Sequence, residues 1–237
     1  MSATSPERLF SERRRRDPSS PFLTFYDDTT GERAELSAAS LGNWMAKTHF
    51  LLGNELGLGP GDRAAVGLPL HWLQPVVLLG CWSAGLEVLT TPGTTDVAFA
   101  DVTHLPEVNA AEVLALALQP WGRGFDGPPP PGTTDYVTAV RPQPDAWAAV
   151  NFPAGPDDPA LDGVGRRELV DAAGARAGEL DLADGARVLV RDPFPAEPDV
   201  LTLVAVLAVG GSLVLVRHGR ADAEAARVAQ EGVTAIV

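Results

Sequence analysis

The chain has 237 residues, enough for one substantial α/β domain or two small ones, with ordinary fractions of hydrophobic (45%) and charged (21%) residues. Its net charge of −13 argues against nucleic acid and anionic membrane surfaces as partners. The single cysteine, Cys81, cannot form an intrachain disulfide. Because the sequence also shows neither a signal peptide nor an apolar run of about 18 residues, we expect a cytoplasmic protein that is not inserted in a membrane.

The N-terminal residues predict a short helix. Ser5 is a suitable N-cap, Pro6 suits the first helical position, and the pattern ends near Asp17. Four consecutive arginines, residues 13–16, lie at the end of this helix. We interpret them as a solvated helix end rather than an interaction patch.

A hairpin and a second helix are predicted next. Residues 22–26 and 33–36 are β-prone and flank a segment with turn chemistry. Ser37 can cap the helix that follows. Its apolar face recurs at helical spacing and consists of Leu41, Trp44, Met45, Thr48 and Leu52.

Two later segments share one order of elements: turn, strand, proline, buried helix, glycine and strand. The first copy has a strand over 63–68, a helix over 71–84 and a strand over 86–90. The second has a turn and strand within 184–194, a helix over 199–209 and a strand over 212–216. Repeated βαβ units predict an α/β fold with parallel sheets. A helix over 221–230 and a strand over 233–237 follow.

The middle of the chain is less regular. We predict a strand over 97–100 and a helix over 109–118, followed by an extended Pro/Gly-rich stretch that contains GPPPPG. These features suggest a first lobe over 1–118, a linker over 119–144 and a second lobe over 145–237.

The loop NFPAGPDDPALDGVGRREL, residues 151–169, raises the question of a nucleotide site. It lies between an apolar, strand-like run over 146–150 and a predicted helix. Glycine-bearing loops between a strand and a helix commonly hold phosphate.

The order and spacing of the elements resemble the N-terminal part of the adenylate-forming enzymes: acyl-CoA synthetases, peptide-synthetase adenylation domains and luciferases. The residues that carry the resemblance include Leu9-Phe10 in the first helix, Gly61-Asp62-Arg63 and Leu68-Pro69 around the first core strand, and Ala84-Gly85 at the helix end. Residues 92–145 match least well. The resemblance implies two βαβ-type lobes with mainly parallel, helix-flanked sheets.

The resemblance also implies a phosphate loop within residues 146–161, of the form Tyr-Thr-Ser-Gly-Thr-Thr-Gly-x-Pro-Lys-Gly. Phe152 aligns with the tyrosine, Gly155 is retained, and Pro159 matches the proline. Asp157 and Asp158 fall at a threonine and a glycine, and alanine follows Pro159 where the family has lysine. The loop therefore matches a phosphate loop in position but not in composition.

Physical chemistry gives the same result. Phosphate loops use free backbone N–H groups, hydroxyls and a cation, whereas the three prolines of this loop have no N–H and its two aspartates repel phosphate. Lys47, on an early helix, is the only lysine in the chain. We therefore expect no catalytic residue and no cofactor.

The sequence contains two other groups of residues that could form a site. Arg166 and Arg167 follow a glycine pair and could form a weak anion nest at a helix start, although a solvated helix turn is the simpler interpretation. The four histidines, His49, His71, His104 and His218, show no metal-ligand spacing, so no metal site is expected.

These features favour a binding or regulatory module that has lost adenylation. One alternative is a remnant that holds an acyl group or small acid in a cleft between the lobes; another is a partial enzyme completed by another chain. The resemblance implies that the family's ribose-binding aspartate and C-terminal lid lie beyond the shortened chain. The apolar strand over 233–237 predicts a homodimer or a protein partner, because unprotected strand edges tend to pair.

Overall fold

The structure is a computed structural model that describes residues 3–90, 93–191 and 200–237. Its helices are α1 (Pro6–Arg16), α2 (Ala38–Phe50), α3 (Leu73–Ala84), α4 (Tyr136–Val140), α5 (Arg166–Glu179), α6 (Val200–Ala208) and α7 (Ala221–Glu231). Its strands are β1 (Pro21–Asp27), β2 (Glu32–Ser37), β3 (Arg63–Gly67), β4 (Glu87–Leu89), β5 (Thr94–Asp101), β6 (Asn109–Leu116), β7 (Thr134–Asp135), β8 (Pro159–Leu161), β9 (Val164–Gly165), β10 (Arg187–Arg191), β11 (Ser212–Arg217) and β12 (Ala235–Ile236). None of these helices is both long and apolar enough to cross a membrane.

The strands form two mainly parallel sheets. Sheet A has the order β12-β10-β11-β1-β2, and only its β1–β2 hairpin is antiparallel. Sheet B has the order β7-β6-β5-β3-β4-β8-β9, and only its β8–β9 hairpin is antiparallel. The mixed α/β fold class and the mainly parallel sheets predicted from the sequence are confirmed.

The repeated βαβ unit is also confirmed. In sheet B, β3 and β4 pair in parallel across α3, with Arg63 opposite Glu87. In sheet A, β10 and β11 pair in the same way across α6, with Arg187 opposite Ser212. All residues of α3 are buried, as are most of α6, because helices that cover a parallel sheet are enclosed in the core. The predicted proline break after β10 and the residue before Val200 lie outside the described residues.

Contacts divide the chain into two units. One comprises residues up to Leu41, Leu70–Trp72 and residues from Arg167 onward, and it contains sheet A. The other comprises Gly42–Pro69 and Leu73–Arg166, and it contains sheet B. This division differs from lobes over 1–118 and 145–237, because the N-terminal hairpin joins sheet A through the pairing of β1 with β11. The stretch expected as a linker, 119–144, supplies β7 and α4 to the second unit.

The helix predicted over 109–118 is wrong, because these residues form strand β6. Alanine, leucine and glutamate are good helix formers, which is why the local sequence favours a helix. The segment nevertheless pairs with β5 on one side and β7 on the other. Sheet pairing and burial of Leu114 and Leu116 override the local propensity.

Helices α2 and α3 approach closely where Gly80 faces Thr48. A methyl group at Gly80 would overlap the Thr48 side chain. That side chain is fixed, since its hydroxyl donates to the Trp44 carbonyl (2.9 Å) and shares a hydrogen bond with the buried Tyr136 hydroxyl (2.8 Å). Burial raises the pKa of the Tyr136 hydroxyl, which therefore stays protonated.

We predict that Gly80→Ala lowers the free energy of unfolding by about 1–3 kcal/mol, because the added methyl group forces the packed helices apart. Gly174→Ala is the matched control. Gly174 lies in α5 with open space around its Cα, so alanine there should stabilise by about 0.5–1 kcal/mol. Urea denaturation of both variants tests this, and equal effects of the two substitutions would contradict the packing argument.

A polar network centred on Glu231 holds the end of α7 against sheet A. The Glu231 carboxylate accepts hydrogen bonds from the Tyr26 hydroxyl (2.5 Å), Arg187 (2.6 Å) and Arg33 (3.2 Å). Burial disfavours its charge, but these three donors outweigh burial and lower the pKa of Glu231 from 4.5 to about 2. The ionised carboxylate therefore stabilises the folded state.

Because the folded pKa of Glu231 lies below the unfolded value, its contribution is complete above about pH 4.5 and is lost as the pH falls towards about 2. We predict that Glu231→Gln lowers the unfolding free energy at pH 7 and that the gap to the unmodified chain narrows between pH 4.5 and 2. Glu179→Gln is the control, because Glu179 is 66% exposed in its pair with Arg176. Urea titrations across this pH range measure both, and a constant gap for Glu231→Gln would refute the assignment.

Candidate functional site

The candidate loop has a different setting from the one predicted. Residues 146–150 form a 3₁₀ turn over Trp147–Ala149 rather than a strand. The loop then leads into the β8–β9 hairpin, and helix α5 begins only after that hairpin. The loop therefore lies between a turn and a hairpin, and its N–H groups are not at a helix start.

Within the loop, Asp158 and Gly155 bind each other. The Gly155 N–H donates to the Asp158 carboxylate at 2.7 Å, and the Asp158 N–H donates to the Gly155 carbonyl at 3.3 Å. The glycine that the resemblance retains therefore directs its N–H to a carboxylate of the same loop. A phosphate would have to displace that carboxylate to use this donor.

The other aligned residues are arranged as follows. Phe152 is partly buried, whereas Asp157 and Pro159 are exposed. The alanine at the family's lysine position, Ala160, is fully buried in β8, and its carbonyl accepts the Trp82 indole N–H at 2.9 Å. A side chain at this position points into the core, so this position does not offer a cation to the loop.

The turn of the β8–β9 hairpin is held by carboxylates. Asp162 and Gly163 both have positive φ angles (47° and 85°), as two-residue hairpin turns require. The Asp162 carboxylate accepts the Thr90 N–H (3.0 Å) and hydroxyl (2.6 Å). The Gly163 N–H donates to Glu87 at 2.6 Å. This glycine N–H, which an anion nest would use, is thus bound to a side-chain carboxylate.

Arg166 is fully buried at the start of α5. Its guanidinium donates to the carbonyls of Trp82 (3.0 Å) and Leu86 (3.2 Å), at the C-terminal end of α3. Cations are favoured there because the last carbonyls of a helix lack helical partners and carry partial negative charge. Arg167 is exposed. The structure therefore does not bring the two arginines together on one anion.

The hydrogen bonds of the Lys47 side chain are made to residues outside the candidate loop. Its ammonium group donates to the Arg141 carbonyl at 2.9 Å and to the Gln143 carbonyl, just after α4. The chain's one lysine thus caps the end of a short helix.

The histidines are separate, and the described residues contain no cluster of His, Cys, Asp and Glu that could hold a metal. Burial lowers the pKa of His49, opposed by hydrogen bonds to the Ser83 backbone and the Asn151 side chain. The His71 ring packs edge-on against Phe25, with centroids 4.7 Å apart.

Sequence reasoning missed two Asp–His contacts at the carboxyl ends of parallel strands. The His104 ring bonds Asp101 at the end of β5, and the His218 Nδ1 lies 3.0 Å from Asp27 at the end of β1. Asp101 and His104 are three residues apart, a spacing that could have signalled the contact. Asp27 and His218 are far apart in sequence, and nothing local indicates their pairing.

Comparison with known proteins identifies relatives of this chain. No family model matches it. A TIGR03089 family protein of Mycobacterium tuberculosis is 39% identical over 233 residues, which cover 94% of this chain and 93% of that protein. The chain belongs to the TIGR03089 family.

Solved structures show which fold this TIGR03089 family protein has. The chain superposes on a fatty acyl-CoA synthetase of Mycobacterium tuberculosis with a TM-score of 0.71 at 15% identity. The match covers 97% of this chain and 48% of that protein. The comparison with an acetoacetyl-CoA synthetase of Streptomyces lividans gives a TM-score of 0.75 at 18% identity, and the match covers 98% of this chain and 42% of that protein. The comparison with MbtA of Mycobacterium smegmatis gives a TM-score of 0.71 at 21% identity, and the match covers 98% of this chain and 47% of that protein. The chain thus spans about half the length of these proteins, and its fold is that of the N-terminal part of adenylate-forming enzymes.

We predict that Arg166→Met lowers the unfolding free energy by about 2–4 kcal/mol, because it retains most of the buried volume but removes the hydrogen bonds that the guanidinium donates to the two carbonyls. Arg167→Met, at the adjacent exposed position, should change it by about 0.5 kcal/mol or less. Chemical denaturation measures both. Equal losses would show that Arg166 is not the structural cation inferred here.

Proposed function

We propose that this TIGR03089 family protein is a non-adenylating relative of the adenylate-forming enzymes that acts as a binding or regulatory module. One observation carries the proposal: the Asp158 carboxylate holds the N–H of Gly155, the glycine that the resemblance places in the phosphate loop. The loop supplies its own anion.

The charges around this contact support the proposal. Asp157 and Asp158 are both exposed, so an approaching phosphate meets two negative charges. Each costs about 1 kcal/mol at about 4 Å in water, and more in a less polar setting. The ammonium group of Lys47 is bound to two carbonyls elsewhere.

ATP–pyrophosphate exchange tests the proposal. With purified protein, Mg²⁺-ATP and panels of fatty, aryl and amino acids, we expect exchange no greater than that of the heat-inactivated protein. Asp158→Asn is the informative variant, because it removes the charge and keeps the side-chain volume. Calorimetric titration with ATP should show tighter binding by this variant than by the unmodified chain, by about fivefold for 1 kcal/mol. Exchange above background with any acid would overturn the proposal.

The same protein preparation distinguishes the two alternatives. A retained acyl or small-acid site predicts thermal stabilisation, since a ligand at 100 times its dissociation constant contributes about 2.7 kcal/mol. A partial enzyme predicts that a second chain copurifies and restores exchange. Stabilisation without exchange would favour a ligand-binding role.

A further inference from the structure

Trp121 is the most exposed large hydrophobic side chain among the described residues. It is 83% exposed, compared with 54% for Val102 and 45% for Ile236. A tryptophan so exposed leaves a large apolar area in water, and tryptophan is enriched among the residues that dominate protein interfaces.

The loop that carries Trp121 is held firmly. Trp121 has a left-handed φ of 67°, and the flanking residues Gln119 and Arg123 form a β-bridge. The carbonyl of the next residue, Gly122, accepts a hydrogen bond from Arg141 at 2.9 Å. Tryptophan is costly in this conformation, so the surrounding contacts must maintain it.

The second half of the loop is attached to Asp135. Its carboxylate accepts the Phe125 N–H at 3.1 Å and also caps α4 through the Val137 N–H at 3.0 Å. A methyl group at Gly124 would overlap this carboxylate. The loop backbone that carries Trp121 is therefore held in place, and binding through it costs little backbone ordering entropy.

A proline run follows Trp121 in the same segment of the chain. Residues 128–131 are four consecutive prolines, of which Pro128 and Pro131 are exposed. The run ends in a turn in which the Thr133 N–H donates to the Pro130 carbonyl at 3.1 Å, with Gly132 at φ 78°. Proline runs favour the polyproline II conformation, and exposed aromatic rings are what bind that conformation.

We propose that residues 119–132 form a homodimer interface in which Trp121 of each copy packs on the proline run of the other. A two-fold dimer requires an interface that is complementary to itself, and residues 119–132 supply both an exposed aromatic side chain and a proline run. Charge favours a second copy at this place. The chain carries −13, but residues 119–132 contain one arginine and one aspartate, so this segment adds no net charge to the repulsion between two copies.

Sedimentation analysis of the full chain over a concentration series tests the proposal. We expect a monomer–dimer equilibrium that strengthens with salt, because salt screens the net repulsion. Trp121→Ala and Pro128→Ser/Pro131→Ser should each weaken the dimer at least tenfold. Trp121→Gly should weaken the dimer to the same extent. Because glycine adopts the left-handed backbone conformation of residue 121 without strain, this variant separates loss of the indole from misfolding of the loop.

Val102→Ser and Ile236→Ser are the matched controls, because each removes an exposed apolar side chain elsewhere. Both should leave the dimer unchanged. Ile236 lies on the edge strand β12, so loss of the dimer in that variant would assign the interface to the strand edge and overturn this proposal. The readout is association alone, so the result is independent of whether the protein adenylates.

Mixing the two defective variants gives the sharpest test. The Trp121→Ala chain keeps its proline run and the Pro128→Ser/Pro131→Ser chain keeps its tryptophan, so their heterodimer retains one of the two contacts. We expect the mixture to associate more strongly than either variant alone. A monomeric unmodified chain at millimolar concentration, a dimer that persists in Trp121→Ala, or a mixture that gains nothing would each refute the interface.

Discussion

The candidate loop is joined to the core of its unit through one residue, Arg166, whose guanidinium is fully buried. It satisfies carbonyls at the end of α3 and just before β4, and the Arg166 N–H donates to the Asp158 carbonyl at 3.0 Å. One residue therefore joins the end of the crossover helix, the start of β4 and Asp158 of the loop. The buried guanidinium holds the first two through its hydrogen bonds, and the backbone N–H of the same residue holds the third.

Around this cation the chain satisfies backbone donors with its own carboxylates. Asp158 binds Gly155, Glu87 binds Gly163, and Asp162 binds Thr90, at distances of 2.7, 2.6 and 3.0 Å. Charge-assisted hydrogen bonds of this kind are short and strong. A loop whose donors are bound in this way needs no ligand to be ordered. The carboxylates of this acidic chain thus stabilise the loop in the absence of a bound nucleotide.

The sequence predicted the parts of this fold that local chemistry determines. Glycine and proline bound each βαβ unit, and hydrophobic runs mark α3 and α6, so the repeat could be recognised before the structure. Strand β6 could not, since its helix-forming residues are held in a strand by pairing with β5 and β7. The Asp158–Gly155 contact was not foreseen either. The sequence predicts that the loop is unsuited to phosphate, but it does not predict that Asp158 folds back onto the glycine of the same loop.

Several of the differences from the expected layout lie in one part of the chain. Residues 92–145 match the adenylate-forming pattern least, and the wrongly predicted strand β6, the additional strand β7 and the exposed Trp121 all lie there. The repeated βαβ units bury all of α3 and most of α6, so they tolerate little change in sequence. Surface loops are free of that constraint and carry most binding functions. On the scaffold shared with these enzymes, a new binding role can arise most readily at such a surface loop, and the segment around Trp121 combines an exposed side chain with a firmly held backbone.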